Sequence, residues 1–265
     1  MAVALHQWTA GIYLLAGLLA WLGMALRAGR LEKAAVGALL AGVVLHVASF
    51  ATLHDLDPPP PLTDLPAAVS FMACIGTLFF LGLMWWLRLA GLAVLVAPLA
   101  FVSVFFAALR LPQAAAPALE ASGSMPHAHV LLASAGLAML GVSGLAGLLF
   151  LLEHRRLKAK RPIDPRFPLP SLEALDRVNR VSLAAGFPLL TLGVVAGMLW
   201  VETVQGKLFT GAHHEIWSAI AWAIYAVLVA ARFGVSQGAR QAAASAVGGF
   251  AFLSFAVIGV ELLLA

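Results

Sequence analysis

Apolar and polar positions alternate along this chain in blocks of about 20 residues. Apolar stretches fall at 8–26, 35–53, 67–86, 89–109, 130–152, 181–200, 216–232 and 242–264. Each is near the length an α-helix needs to cross the hydrocarbon core. Backbone groups in lipid must bond within their own segment, which leaves helices as the spanning form. The pattern therefore predicts an all-α integral membrane protein of eight transmembrane helices, a single polytopic domain over residues 1–265. Only Trp86-Leu87-Arg88 divides the third and fourth stretches, which are read as a tight helical hairpin.

Composition agrees and excludes the alternatives. Of 265 residues, 62% are hydrophobic and 11% charged, and mean hydropathy is +0.98. A soluble domain carries about 25% charged residues. Disorder, collagen and coiled coil are excluded on the same numbers. Cys74 is the one cysteine, so neither an internal disulfide nor a thiolate metal cluster can form within the chain.

The sparse charges orient the spans. Arg27, Arg30 and Lys33 follow span one, and Arg88 separates spans three and four. Arg155, Arg156, Lys158, Lys160, Arg161, Arg166, Arg177 and Arg180 lie between five and six, and Arg232 and Arg240 between seven and eight. These fourteen of the sixteen Lys/Arg occupy alternate connections, leaving only Arg110 and Lys207 for the opposite side. The positive-inside rule then places the basic connections in the cytoplasm and both termini outside. The location expected is a bacterial cytoplasmic (inner) membrane, crossed many times. The basic isoelectric point reflects contact with anionic headgroups, so membrane lipid is an expected partner and nucleic acid is not. The start, MAVALHQWTAG, has no basic n-region, and span one is expected to be retained.

The longest connection, 153–180, is read as a basic cytoplasmic loop whose Ser171–Arg180 part forms a short amphipathic helix on the inner headgroups. Pro58–Pro61 is read as an extended outer turn. With this topology seven of the eight histidines fall in the membrane or on its outer side. His46 lies inside span two. His127 and His129 open span five, and their two-residue spacing puts them on opposite helix faces, so at most one faces a given site; His129 is preferred. His213 and His214 precede span seven, and His6 and His54 are expected to face solvent. This clustering favours a haem or metal site, or proton chemistry, at the outer boundary. Each histidine also has a plain alternative, such as a bond to a nearby carbonyl. No spacing resembles a hydrolase triad or a zinc protease. No midplane acid or base other than His46 supports ion transport.

The last hundred residues add a resemblance. It rests on Leu169 to Asp176, Gly186-Phe187-Pro188-Leu189-Leu190-Thr191, Gly193, Gly197, Trp200, Gly206 and Glu215-Ile216-Trp217. It continues through Trp222 to Ala226, Arg232, Gly238 and Phe255 to Val260. Together these resemble the cytochrome c assembly protein family, the CcsA/CcmC superfamily, and within it the small HemX-like branch of eight-span proteins. His46 with Ser70-Phe71 resembles that branch more loosely, and His129 resembles the histidine that precedes the family's tryptophan-rich outer loop.

The resemblance implies a non-catalytic membrane protein that handles haem in cytochrome c assembly or haem supply. It would bind haem b non-covalently near the outer face, with an assembly or haem-synthesis protein as partner. It implies His129 with His46, or with His213 or His214, as ligands to haem iron. Arg110 and Lys207, the two outward cations, would meet the propionates, and Trp217 joins the candidate cofactor-binding residues. The family loop has the pattern W-G-x-x-W-x-W-D-P-K-E. Here 201–215 is a degenerate form, in which Gln205 to Glu215 keep only Phe209 as an aromatic and Ala212 replaces the aspartate. Two other readings stay open. One is a cofactor-free structural or regulatory subunit of a haem-synthesis or respiratory complex, and the other is a b-haem electron-transfer subunit.

Overall fold

The computed structural model describes residues 2–54, 65–87, 93–110, 124–160, 170–235 and 237–256. The Pro58–Pro61 turn, Arg88, Arg161, Arg166 and residues 257–265 lie outside them. Among the described residues there is no strand. The helices are α1 (Ala2–Leu26), α2 (Gly29–His54), α3 (Leu65–Leu87), α4 (Ala93–Arg110), α5 (Ser124–Lys158), α6 (Leu172–Gln205), α7 (His213–Val229) and α8 (Ala239–Ser254). A π-helical turn, Ala230–Gly234, continues α7.

Among the described residues six helical segments are long and apolar enough to cross a membrane: Val3–Leu26, Gly29–Leu53, Pro66–Trp86, Met125–Lys158, Leu172–Gln205 and His213–Gly234. Val96–Arg110 is apolar but shorter, and α8 is described for 16 residues. Large apolar side chains cover the outside. Trp85 is 88% exposed, Val44 and Trp8 70%, and Val227 66%. Such a surface would associate in water and suits contact with acyl chains. The protein is a multi-pass helical membrane protein.

One sequence expectation needs correction near the basic connection. Span five does not stop at 152, because α5 runs 35 residues to Lys158 and carries Arg155, Arg156 and Lys158 in its last turn. The stretch E-H-R-R-L-K contains no helix breaker, and Glu153 pairs with Arg156 across 3.8 Å. The amphipathic stretch leads into span six without a break. It is the start of α6, a 34-residue helix capped by Ser171, whose side chain accepts from the Ala174 N–H. At about 1.5 Å per residue such helices reach about 50 Å and outrun the hydrocarbon core.

The helices group into two compact units, α1–α4 in one and α5–α8 in the other. In the first, α1 packs on α2 and α4, and α3 packs on α4. Its interior is built of small residues, Ala16, Ala35, Ala97 and Ala107, around Tyr13, Leu39 and Val104. In the second, Leu140, Leu183, Leu190, Tyr225 and Leu253 form the core.

The α5–α6 pair is antiparallel and unusually close. A Cβ added at Gly136 would lie 2.5 Å from the Leu190 backbone nitrogen, and one at Gly193 would lie 2.7 Å from that of Ala133. Further along, Asn179 donates to the carbonyl and hydroxyl of Ser143, both at 3.0 Å. Close contact of this kind supplies the van der Waals attraction that holds helices together in lipid.

Gly136→Ala is therefore expected to destabilise the protein by about 1–3 kcal/mol through overpacking against backbone. Gly37, with open space around it, is the control, and Gly37→Ala should leave the unfolding midpoint in detergent unchanged or higher. Equal midpoints for both variants would refute the tight α5–α6 contact.

Candidate functional site

In the first unit a buried polar cluster surrounds His46. Gly42, His46 and Phe50 share one face of α2 by their four-residue spacing. A Cβ at Gly42 would lie 2.6 Å from Tyr13 Cε1, so glycine makes room for the tyrosine ring. That ring brings its hydroxyl to 3.3 Å from His46 Nδ1. The other ring nitrogen, Nε2, is 2.9 Å from Ser70 Oγ on α3. Phe50 stacks on His46 at 5.4 Å and meets Phe71 edge-on at 5.3 Å. His46 is fully buried, and both of its nitrogens are engaged.

His6 overturns a sequence expectation. It is fully buried rather than solvent-facing, edge-on to His46 at 5.7 Å and to Phe50 at 5.3 Å. The signal was present in the chain. His6, Thr9, Ala10, Tyr13, Ala16 and Ala20 lie on one helical stripe and all are buried. Starting span one at residue 8 cut the stripe short. His54 stands at the end of α2, and its side chain lies outside the described residues.

The second unit holds His129. His127, two residues earlier, is exposed, whereas His129 is half-buried against α6. Gly197 gives it space, since a Cβ there would lie 2.7 Å from His129 Nδ1. His129 Nδ1 lies 2.8 Å from the Gly193 carbonyl oxygen. A carbonyl only accepts, so Nδ1 carries the proton and donates, and neutral imidazole then keeps its lone pair on Nε2. The Trp200 ring lies 6.2 Å from the imidazole, tilted by 36°.

The loop from α6 to α7 is short and tightly held. Gly206 ends α6 at φ +69°, a left-handed position that glycine occupies without strain, and its N–H bonds Glu202 O at 2.8 Å. Glu215, in the first turn of α7, then accepts three bonds: Thr210 N–H and hydroxyl, each at 2.7 Å, and Gly211 N–H at 3.0 Å. Lys207, Phe209, His213 and His214 are all exposed on this loop and the helix start. Trp217 faces α8 instead, against Phe252 at 5.9 Å and Phe255 at 5.6 Å. Arg110, in the first unit, is exposed in the last turn of α4 with its guanidinium 5.7 Å from the Phe106 ring centre.

These placements bear on a porphyrin ligand. His129 could hold an iron, with Nδ1 fixed by a backbone carbonyl and no hydrogen bond to Nε2 among the described residues. His46 does not fit as placed, because iron would have to displace Ser70 or Tyr13 from its ring. His213 and His214 present exposed imidazoles. Among the described residues no three His, Cys, Asp or Glu side chains converge as a metal centre.

Residues 62–265 match the sequence profile of the cytochrome C assembly protein family. The chain belongs to that family. Relatives named as the cytochrome c biogenesis protein CcsA include that of Guillardia theta, 27% identical over 77% of this chain and 74% of its own length. The Synechococcus sp. (strain JA-3-3Ab) protein is 27% identical over 84% and 82%, and that of Mesostigma viride 23% over 77% and 74%. The family match takes in His129 with its α6 partners Gly193, Gly197 and Trp200, together with the Glu215-held loop. It begins after His6, Tyr13 and His46.

Removing the Glu215 carboxylate should loosen the loop. Charge-assisted bonds contribute about 1.5–3 kcal/mol, less where exposed. Glu215→Ala is expected to speed amide hydrogen exchange at Thr210 and Gly211 by about tenfold with the core amides unchanged. No change at those two amides would mean that the loop is ordered by something else.

Proposed function

We propose that this chain handles haem in cytochrome c assembly or haem supply, binding haem b non-covalently near the outer membrane face with His129 as an axial ligand. The Nδ1 bond to the Gly193 carbonyl carries the reading, because it fixes a half-buried ring and keeps Nδ1 occupied, so that Nε2 is the nitrogen left for iron. Family membership and relatives named for cytochrome c biogenesis support the same setting. The topology goes with it: eight spans in a bacterial inner membrane, both termini outside, with the basic connections inside as the positive-inside rule requires.

Bound haem would supply an iron centre whose potential follows from its axial ligands and burial. The chain's own residues would do the holding. His129 would bind and orient, Trp200 would cover one side of the imidazole, and Lys207 would pair with a propionate. His213 or His214, on the same unit as His129, would supply a second imidazole. Trp217 would act indirectly, by fixing the start of α7 on α8. No covalent transfer is assigned to the chain, and a partner assembly protein would receive or deliver the haem. The closed hydrogen-bond set around His46, together with the missing loop indoles, favours a second reading, a cofactor-free membrane subunit.

Spectra of the purified protein in mild detergent, with haemin added and then reduced, separate the two. The expected result is a Soret band in the wild type that is lost in His129→Ala and kept in His127→Ala. A wild-type protein that stays colourless with haemin would overturn the haem reading and leave the subunit reading standing.

A further inference from the structure

The second unit has another site, at the end of the helices opposite His129. The same end carries the basic last turn of α5 and the start of α6, with Arg155, Arg156, Lys158 and Arg177. Here the π-helical turn after α7 buries Arg232, whose side chain is 4% exposed. Its Nη2 donates to Asp176 Oδ1 at 2.5 Å and its Nη1 to the Gln237 carbonyl at 3.1 Å. Each terminal nitrogen bears two N–H groups. One on each therefore stays unspent among the described residues.

Asp176 is also shared. Its Oδ2 accepts from Arg180 Nη2 at 3.1 Å, so two guanidinium groups divide one carboxylate and the cluster keeps a net positive charge. Both arginines line an open pocket of about 250 Å³ with Phe233 and Gln237, and Asp176 is not part of its lining. Phe233 is a large exposed apolar group beside the cations. A partly compensated buried charge gains when a further anion approaches.

We propose that this pocket binds a phosphate-bearing anion, held by Arg180 and Arg232 with Phe233 beside it. Planar guanidinium groups suit phosphate oxygens through paired N–H donors. A lipid headgroup and free phosphate share this chemistry. The proposal does not depend on the haem reading, since it uses none of the same residues and its test needs no haem.

The test uses the full chain in detergent. Native mass spectrometry compares retention of phosphatidylglycerol with phosphatidylcholine at equal concentration, and thermal denaturation is followed with added inorganic phosphate. Phosphatidylglycerol is expected to be retained about fivefold more, the effect of one well-placed cation at a membrane surface. Arg180→Gln should abolish the preference while leaving the Asp176–Arg232 pair in place. Arg177→Gln removes the same charge one turn away, where it pairs only with Glu173 at 3.9 Å, and should leave the preference intact. A preference for the lipid without stabilisation by phosphate assigns the site to a headgroup. Stabilisation by phosphate that Arg180→Gln removes assigns it to the free anion. Equal loss in both variants would show diffuse surface attraction and overturn the pocket, as would a wild type that prefers neither lipid and is unaffected by phosphate.

Discussion

Lipid takes away the force that packs soluble helices, because an apolar side chain gains little by leaving acyl chains for a neighbouring helix. What remains is contact at short range and hydrogen bonding across helices. Gly193 serves both. Its missing side chain lets α5 approach until Ala133 lies against it, and its carbonyl then meets His129. A larger residue there would push the helices apart and take the acceptor away from the imidazole. The position of the candidate ligand, and the nitrogen it turns to the carbonyl, thus follow from one close helix contact. Gly42 does the same for Tyr13 and His46 in the other unit, with the opposite chemical result.

Hydrogen bonds then fix the rotation of each helix. An unpaired donor in hydrocarbon costs several kcal/mol. The short hydroxyls of Thr9, Thr77 and Thr191 return to carbonyls four residues back on their own helix. Longer side chains reach across. Trp222 Nε1 donates to Thr191 Oγ1 at 3.0 Å, joining α7 to α6, and Asn179 joins α6 to α5. These crossings are spaced along α6 from Asn179 to Gly193, so that helix is held on two sides over most of its apolar length.

Much of this was legible in the chain. Blocks of about 20 apolar residues give the helices, because the bilayer sets their length. That at most one of His127 and His129 faces a given site follows from helical geometry alone. The boundaries were less legible. Hydropathy ends a span where charge begins, whereas a helix such as α5 continues through Glu153, Arg155 and Arg156 as long as nothing breaks it. His6 was missed for the mirror reason: a polar residue near a terminus looks like surface until its stripe with Tyr13 and Ala16 is traced. The Asp176–Arg232 pair could not be read at all. Its members are far apart in sequence, and only the antiparallel packing of α6 and α7 brings them together.

That Gln205 to Glu215 hold no tryptophan takes on a different meaning beside the geometry. A loop of this kind must be ordered if its residues are to face a flat ligand, and here the ordering comes from Glu215, which takes three donors at once. It does not require indoles. The indole that accompanies His129 comes instead from Trp200 on α6, within the same close helix pair. Groups on packed helices are held more rigidly than groups on loops. If iron binds His129 Nε2, the aromatic wall beside it belongs to the helical scaffold. The exposed loop with Lys207, His213 and His214 is then left to close the site or to meet a partner.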